Sequence, residues 1–190
     1  MIPHTMSQLR SSATTLRLHA LVFATLVFWT SATSTGQAAP VSWRELRSDA
    51  GRFIVSVPAA PTERHGANTD SSLVVARFSV EVAGRTYYLT FADYSPEDVR
   101  ATRAGRMLNE DRDAFARGIG GEVRKESPYR CGAHPGRRFE VTSATGQWHR
   151  VQLCYASPRM YLLYAKASES KGTDVDGPRF LDSFRILPDA

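Results

Sequence analysis

The sequence is poor in the groups that do covalent chemistry. Its 190 residues include only two cysteines, Cys131 and Cys154. That is too few for a disulfide-dense scaffold or a four-cysteine zinc site. Of five histidines, three fall beyond residue 38: His65, His134 and His149. None has H-x-x-x-H or H-E-x-x-H spacing, so no metal site is expected from the pattern. The G-x-S-x-G elbow of a serine hydrolase is absent. Only one long apolar run occurs, near the N-terminus, which excludes a polytopic membrane protein. No internal repeat marks a solenoid. The length allows one ordinary domain. With 42% hydrophobic and 23% charged residues, the composition is that of a globular chain rather than a disordered one.

What is present first is an address. Residues 1–38 carry Arg10 and Arg17 and no acid, followed by the 12-residue run Leu18–Trp29 and the small and polar stretch SATSTGQAAP. This is the order of a secretory signal, with Gly36 and Ala38 at the small-residue positions before a cut after Ala38. The alternative is an uncleaved membrane anchor, although the run is shorter than the about 20 residues a spanning helix needs. The remaining residues, 39–190, are expected to form a single domain, periplasmic or secreted. That segment holds 22 basic and 19 acidic side chains, a net charge of +3. So small an excess, on an exported chain, does not point to nucleic acid. Membrane contact is expected only through the N-terminal segment, if it stays uncleaved.

The periodicities alternate between strand and helix. Trp43–Arg47 and Arg52–Val57 read as strands about a turn at Ser48–Gly51. Residues 59–72 are polar and read as a loop. Leu73–Val82 puts Val74, Ala76, Phe78, Val80 and Val82 on one face, and with Thr86–Tyr94 predicts a hairpin around Gly84-Arg85. Ser95 can cap a helix that opens on Pro96 and runs to about Arg117. Its stripe would gather Ala101, Ala104, Met107, Leu108, Phe115 and Ile119. Glu97 with Arg100, Arg106 with Glu110, and Asp113 with Arg117 have ion-pair spacing. Gly118, Gly120 and Gly121 end it. A strand from Glu122 is expected to break at Pro128, with a turn at Gly132–Gly136. Arg137–Thr142 and Gln147–Tyr155 form a second hairpin, and Arg159–Ala165 a further strand. A short helix closes the chain near Pro178–Phe184. Hairpins outnumber βα units, so the expected class is α+β, an antiparallel β-sheet with packed helices.

Several local motifs resemble those of small exported domains of the PsbP-like and DcrB-like group. They are Gly51-Arg52-Phe53-Ile54-Val55-Ser56-Val57-Pro58, His134-Pro135-Gly136-Arg137-Arg138-Phe139, Arg150-Val151-Gln152-Leu153, Met160-Tyr161-Leu162-Leu163 and the closing Phe180-Leu181-Asp182-Ser183-Phe184-Arg185. The likeness spans about residues 43–187. It implies an α/β/α sandwich around an antiparallel sheet and little chemistry. Members of the group act mostly as accessory or binding subunits: a photosystem extrinsic protein, a Ran-binding release factor, bacterial envelope proteins. This chain lacks the lipid-attachment cysteine of DcrB-like lipoproteins, and no functional residue transfers.

Four features remain as candidates. In an oxidising compartment two cysteines are expected to pair, the alternative being two buried free thiols, and if Ser143 faces Gln147 then Cys154 faces Gly136, at the turn Cys131 enters. Arg100, Arg103 and Arg106 form a local basic run, either a solvated face or a patch for an acidic partner or anionic lipid. Asp111 projects into the apolar stripe and, if buried, needs an Arg or backbone donors, or else marks the rim of a groove between helix and sheet. Tyr87, Tyr88, Phe91, Tyr94, Tyr161 and Tyr164 would line such a groove or fill the core. Gly118–Gly121 follows a helix, the reverse of a phosphate cradle, and Asp174-Val175-Asp176-Gly177 lacks the remaining ligands of a calcium loop. The expected function is a non-catalytic accessory or binding protein of the envelope, taking a protein or small apolar ligand and no cofactor. An enzyme with a site assembled from distant loops is the less favoured alternative.

Overall fold

A computed structural model describes residues 41–67, 74–167 and 176–188. The expected signal segment, part of the 59–72 loop and the Asp174-Val175 pair lie outside the described residues. Among the described residues no helix is long and apolar enough to cross a membrane.

The chain forms β1 (Arg44–Ser48), β2 (Phe53–Val57), β3 (Thr62–Ala67), β4 (Val74–Val82), β5 (Arg85–Asp93), α1 (Pro96–Ala101), α2 (Ala104–Gly118), β6 (Gly121–Cys131), β7 (His134–Ser143), β8 (Trp148–Ala156), β9 (Arg159–Ala167), α3 (Asp176–Asp182) and β10 (Arg185–Ile186). Seven strands make one sheet in the order β3-β4-β5-β9-β8-β7-β6, and β1-β2-β10 make a small second sheet. Every pairing is antiparallel. The class is α+β, as the hairpin count requires.

Alternation assigns each strand two faces. Along β4, Ala76, Phe78 and Val80 are buried while Arg77 and Glu81 are exposed. Tyr87, Leu89 and Phe91 of β5 and Tyr161, Leu163 and Ala165 of β9 continue the buried side. Against it pack β2, with Phe53 and Val55 fully buried, and Phe180, Leu181 and Phe184 from α3 and the residues after it. Phe53 meets Phe78 edge-on at 5.3 Å, and Tyr87 meets Phe180 at 5.4 Å. The other face carries α2, which seats Met107, Leu108 and Ala116 on Phe139, Val141, Val151, Leu153 and Tyr155.

Five expectations needed correction. The polar stretch read as a loop contains β3, an edge strand whose residues 62–66 are all exposed, so it shows no alternation to read. The single helix from Pro96 is two helices, because Thr102 and Arg103 are both extended (ψ 130° and 145°). Thr102 is β-branched and α1 buries no side chain, so nothing holds the two turns in line. Pro128 does not interrupt β6, which is the opposite edge of the sheet and has a free side for a residue without an N–H. The turn expected over Gly132–Gly136 is confined to Gly132-Ala133, and His134 already begins β7. Finally α3 spans Asp176–Asp182, where a helix near Pro178–Phe184 was expected, and it is followed by a short unexpected strand, Arg185–Ile186, that pairs with β2.

The first hairpin holds, with its turn one residue earlier, at Ala83-Gly84. Both have positive φ, 49° and 73°, the paired left-handed geometry that suits a two-residue reversal. Ser95 caps α1 by accepting from the Asp98 amide at 3.1 Å. Arg106 pairs with Glu110 at 2.7 Å, while Asp113 pairs with its neighbour Arg112 rather than with Arg117.

Candidate functional site

Where α2 crosses the sheet it packs on β6, β7 and β8, and toward β4 and β5 the same face opens, with Tyr88 half-buried and Arg77 exposed. A groove of about 420 Å³ runs along this step. Its floor is Tyr88 and Thr90 of β5 and Leu162 of β9, its wall Asp111, Ala114 and Phe115 of α2. Arg77 of β4 flanks it from the open side, opposite Thr90, and Tyr94, just beyond β5, stands at its inner end.

Strand register builds the floor. Tyr88 lies directly opposite Tyr164, and their rings stack at 4.8 Å with 17° between planes. Phe115 leans on Tyr164 at 5.5 Å and on His149 at 6.0 Å. Burial raises the Tyr164 hydroxyl pKa to about 12, with the neighbouring Tyr88 and Glu81 adding to the effect. Burial also raises that of Tyr88, against the opposing charge of Arg77 and a hydrogen bond with Thr90. The aromatic floor is therefore uncharged at neutral pH.

Asp111 finds neither an arginine nor backbone donors. Its partner is the Tyr94 hydroxyl, which donates to Oδ1 at 2.7 Å. Burial raises the carboxyl pKa, the Tyr94 hydrogen bond lowers it, and the charge of Glu110 raises it further. Tyr94 in turn is pushed far up by burial and by Asp111. This pair closes the inner end of the groove with a polar but confined contact.

The six aromatics proposed for the groove divide by strand parity. Tyr88, Tyr94 and Tyr164 belong to the α2 side, packed with that cluster or lining the groove. Tyr87 and Tyr161 turn the other way and are core, with the Tyr161 hydroxyl donating to the Gly51 carbonyl at 2.9 Å, while Phe91 belongs to the core and also borders the groove. Arg77, Thr90, Phe115 and Leu162 complete the site. The sequence marks Arg77 as an outward residue of β4 but holds no sign of what that face looks onto.

Arg100, Arg103 and Arg106 are all exposed, but they lie on α1, on the extended residue between the helices, and on α2. His65 is exposed beside Glu63, His134 opens β7, and His149 is buried on the α2 side. Burial lowers the His149 pKa, as does Lys166, against two backbone hydrogen bonds. The described residues hold no group of three His, Cys, Asp or Glu placed for a metal ion.

Cys131, at the end of β6, and Cys154, on β8, lie at disulfide distance with Cα atoms 5.9 Å apart. Between them runs β7, and Gly136 sits opposite Cys154. A Cβ on Gly136 would stand 2.5 Å from the Leu153 carbonyl oxygen and 3.2 Å from the Cys131 sulfur. Glycine is needed there because the cysteine pair passes over it.

A second hollow, about 240 Å³, lies on the opposite face beneath α3, lined by Lys125, Arg138, Glu140 and Arg150 among others. Its arginines are already engaged: Arg138 pairs with Asp182 at 2.7 Å and lies over Tyr129, and Arg150 lies over Trp148. It is the less available of the two.

No family model matches the chain, and no curated protein matches it. Among solved structures it is similar to cyanobacterial PsbP (CyanoP) from Synechocystis sp. PCC 6803, at 11% identity and a TM-score of 0.53, over 82% of this chain and 99% of that one. It also matches a Pseudomonas aeruginosa protein of unknown function, PA94, at 10% identity and a TM-score of 0.39, over 66% and 82% of the two chains. The chain thus has the PsbP-like fold that its motifs led one to expect. At such identity the likeness concerns the fold alone.

Proposed function

We propose that this chain is an exported, non-catalytic binding protein of the cell envelope, periplasmic or secreted, that holds a small apolar ligand in the groove beside α2. One observation carries the reading: beside α2 the sheet face is left uncovered, and the groove there is lined mainly by apolar and aromatic side chains, among them Tyr88, which stacks on Tyr164 behind it, Phe115, Met160 and Leu162. Folded chains seldom leave concave aromatic surface open without a use for it. The N-terminal pattern and the cysteine pair at disulfide distance support the envelope address.

The test is occupancy. Ala114 is an exposed groove residue, so Ala114→Trp fills the groove without disturbing the core. Native mass spectrometry of the protein from its own host is expected to show a bound small molecule, and the neutral dye N-phenyl-1-naphthylamine is expected to bind it saturably after extraction. Both are lost in Ala114→Trp. A protein that carries nothing and binds no apolar dye overturns the reading. Docking of an envelope protein on Arg100, Arg103 and Arg106 is a second reading, favoured by the exposure of all three. In-cell crosslinking of the wild type and of a triple Arg→Glu variant tests it, and a capture pattern unchanged by the substitutions sinks it.

A further inference from the structure

Two arginines on the open face stand side by side with no acidic partner among the described residues. Arg64 of β3 lies directly opposite Arg77 of β4, which lies opposite Thr90 of β5, which lies opposite Leu162 of β9. Directly opposed residues of an antiparallel pair share a face, their Cβ atoms about 5 Å apart, and like charges in that position repel. Several other arginines are matched with acids: Arg85 with Asp176, Arg112 and Arg137 with Glu126, Arg159 with Asp93. Arg64 and Arg77 have no ion pair among the described residues. Charge on an edge strand is a common guard against strand addition, and that accounts for Arg64. It does not account for Arg77, because β4 is flanked on both sides, by β3 and β5.

The row leads from the two cations into the groove. Arg77 flanks it from the β4 side, opposite Thr90, Tyr88, Phe115 and Leu162 make its apolar part, and the Asp111–Tyr94 pair stands at its inner end. A carboxylate at the inner end repels an anion and sets the direction in which an amphipathic molecule enters. Its apolar body would lie along the tyrosine floor, and its charge would remain outside, between Arg77 and Arg64. We infer that the groove ligand is a small organic anion, an aromatic or aliphatic body carrying one carboxylate, sulfonate or phosphate group, bound with that group on the Arg64–Arg77 pair. This rests on the groove being a binding site, and it names the chemical class of what is bound.

Two dyes with nearly the same apolar body separate the possibilities. 8-Anilinonaphthalene-1-sulfonate carries an anion, and N-phenyl-1-naphthylamine does not. Titrated into the folded full chain, the sulfonate is expected to bind at least about 5-fold more tightly than the neutral dye, the scale of a partly exposed ion pair. Arg77→Gln and Arg64→Gln are each expected to bring the ratio of the two dyes' affinities, read within the same variant, down toward one, and rising salt to shrink it in the wild type. Equal binding of the two dyes, or a preference that survives both substitutions, overturns the anion assignment and leaves the groove reading standing. Absence of binding by either dye, or binding that Ala114→Trp does not touch, overturns both. Circular dichroism of each variant confirms that the dyes report on a folded protein.

Discussion

The two faces of the seven-stranded sheet are built from the same strands and have different fates. On the side of the small sheet, residues of one parity are sealed by β2 and α3, and Phe53, Val55 and Leu163 reach zero exposure. On the side of α2, residues of the other parity are sealed only under the helix. Beyond it Tyr88 is half-buried and Arg77 exposed. A single helix of 15 residues, about 22 Å long, does not span seven strands at about 4.8 Å spacing, so a margin remains open. The difference teaches that the first face is there to hold the fold and the second has room for a partner. The open margin is a consequence of helix length, and the stacked tyrosines are what make it more than wet sheet.

The comparison breaks if the sealed face proves no more costly to damage than the open one. Phe53→Ala is expected to cost about 3–5 kcal/mol and to lower the melting temperature by roughly 10 °C. Tyr88→Ala, at the open margin, is expected to cost less than about 1.5 kcal/mol and to act on dye binding instead. Thermal melts of both variants decide it. Next in size is the cysteine pair. If it is bonded, reduction adds two hydrogens to the intact mass, and Cys131→Ser/Cys154→Ser loses about 3 kcal/mol in denaturant titration. An unchanged mass under reducing and oxidising conditions removes the bridge from the account.

Smaller effects distinguish the two ends of the α2 side by pH. His149 is held neutral in the fold, so its folded pKa lies below its unfolded one. The unfolded chain therefore takes up the proton first as pH falls through its ordinary range near 6.5, and stability drops. His149→Phe, which keeps a ring against Phe115 and Tyr164, is expected to show a smaller fall in melting temperature between pH 7 and pH 5. Asp111 has the opposite displacement. Its folded pKa is raised, so the ionised carboxylate is a burden above that value and the burden disappears on protonation at low pH. Asp111→Asn, which can still accept from Tyr94, is expected to melt slightly higher than the wild type at pH 7 and to lose that advantage toward pH 3. A variant that melts lower at pH 7 would show that the Tyr94 contact outweighs the desolvation of the charge.

Much of this architecture was legible in local pattern. The alternation of Ala76, Phe78 and Val80, the Ser95 cap and the register from Ser143–Gln147 to Gly136–Cys154 all follow from short-range rules. What escaped was of two kinds. β3 and the Pro128 stretch lie at sheet edges, where exposure erases alternation and proline is tolerated, so their composition imitates loop. The break at Thr102–Arg103 carries no glycine or proline; the β-branched Thr102 marks it only weakly, and it is the unburied α1 that leaves the two turns out of line. The groove was only partly visible. Asp111 announced itself as an acid in an apolar stripe, but its partner, Tyr94, sits 17 residues away in sequence.

The sequence by itself determined which residues are strand and which helix over most of the chain, and which side of each strand is apolar. Period and capping are local properties of a chain. Only the tertiary structure decided that Tyr87 becomes core and its neighbour Tyr88 lines a groove, that Arg64 faces Arg77, and that Gly136 lies beneath the cysteine pair. Those depend on strand order and on where a short helix comes to rest. Long-range packing sets both, and no window of sequence contains it.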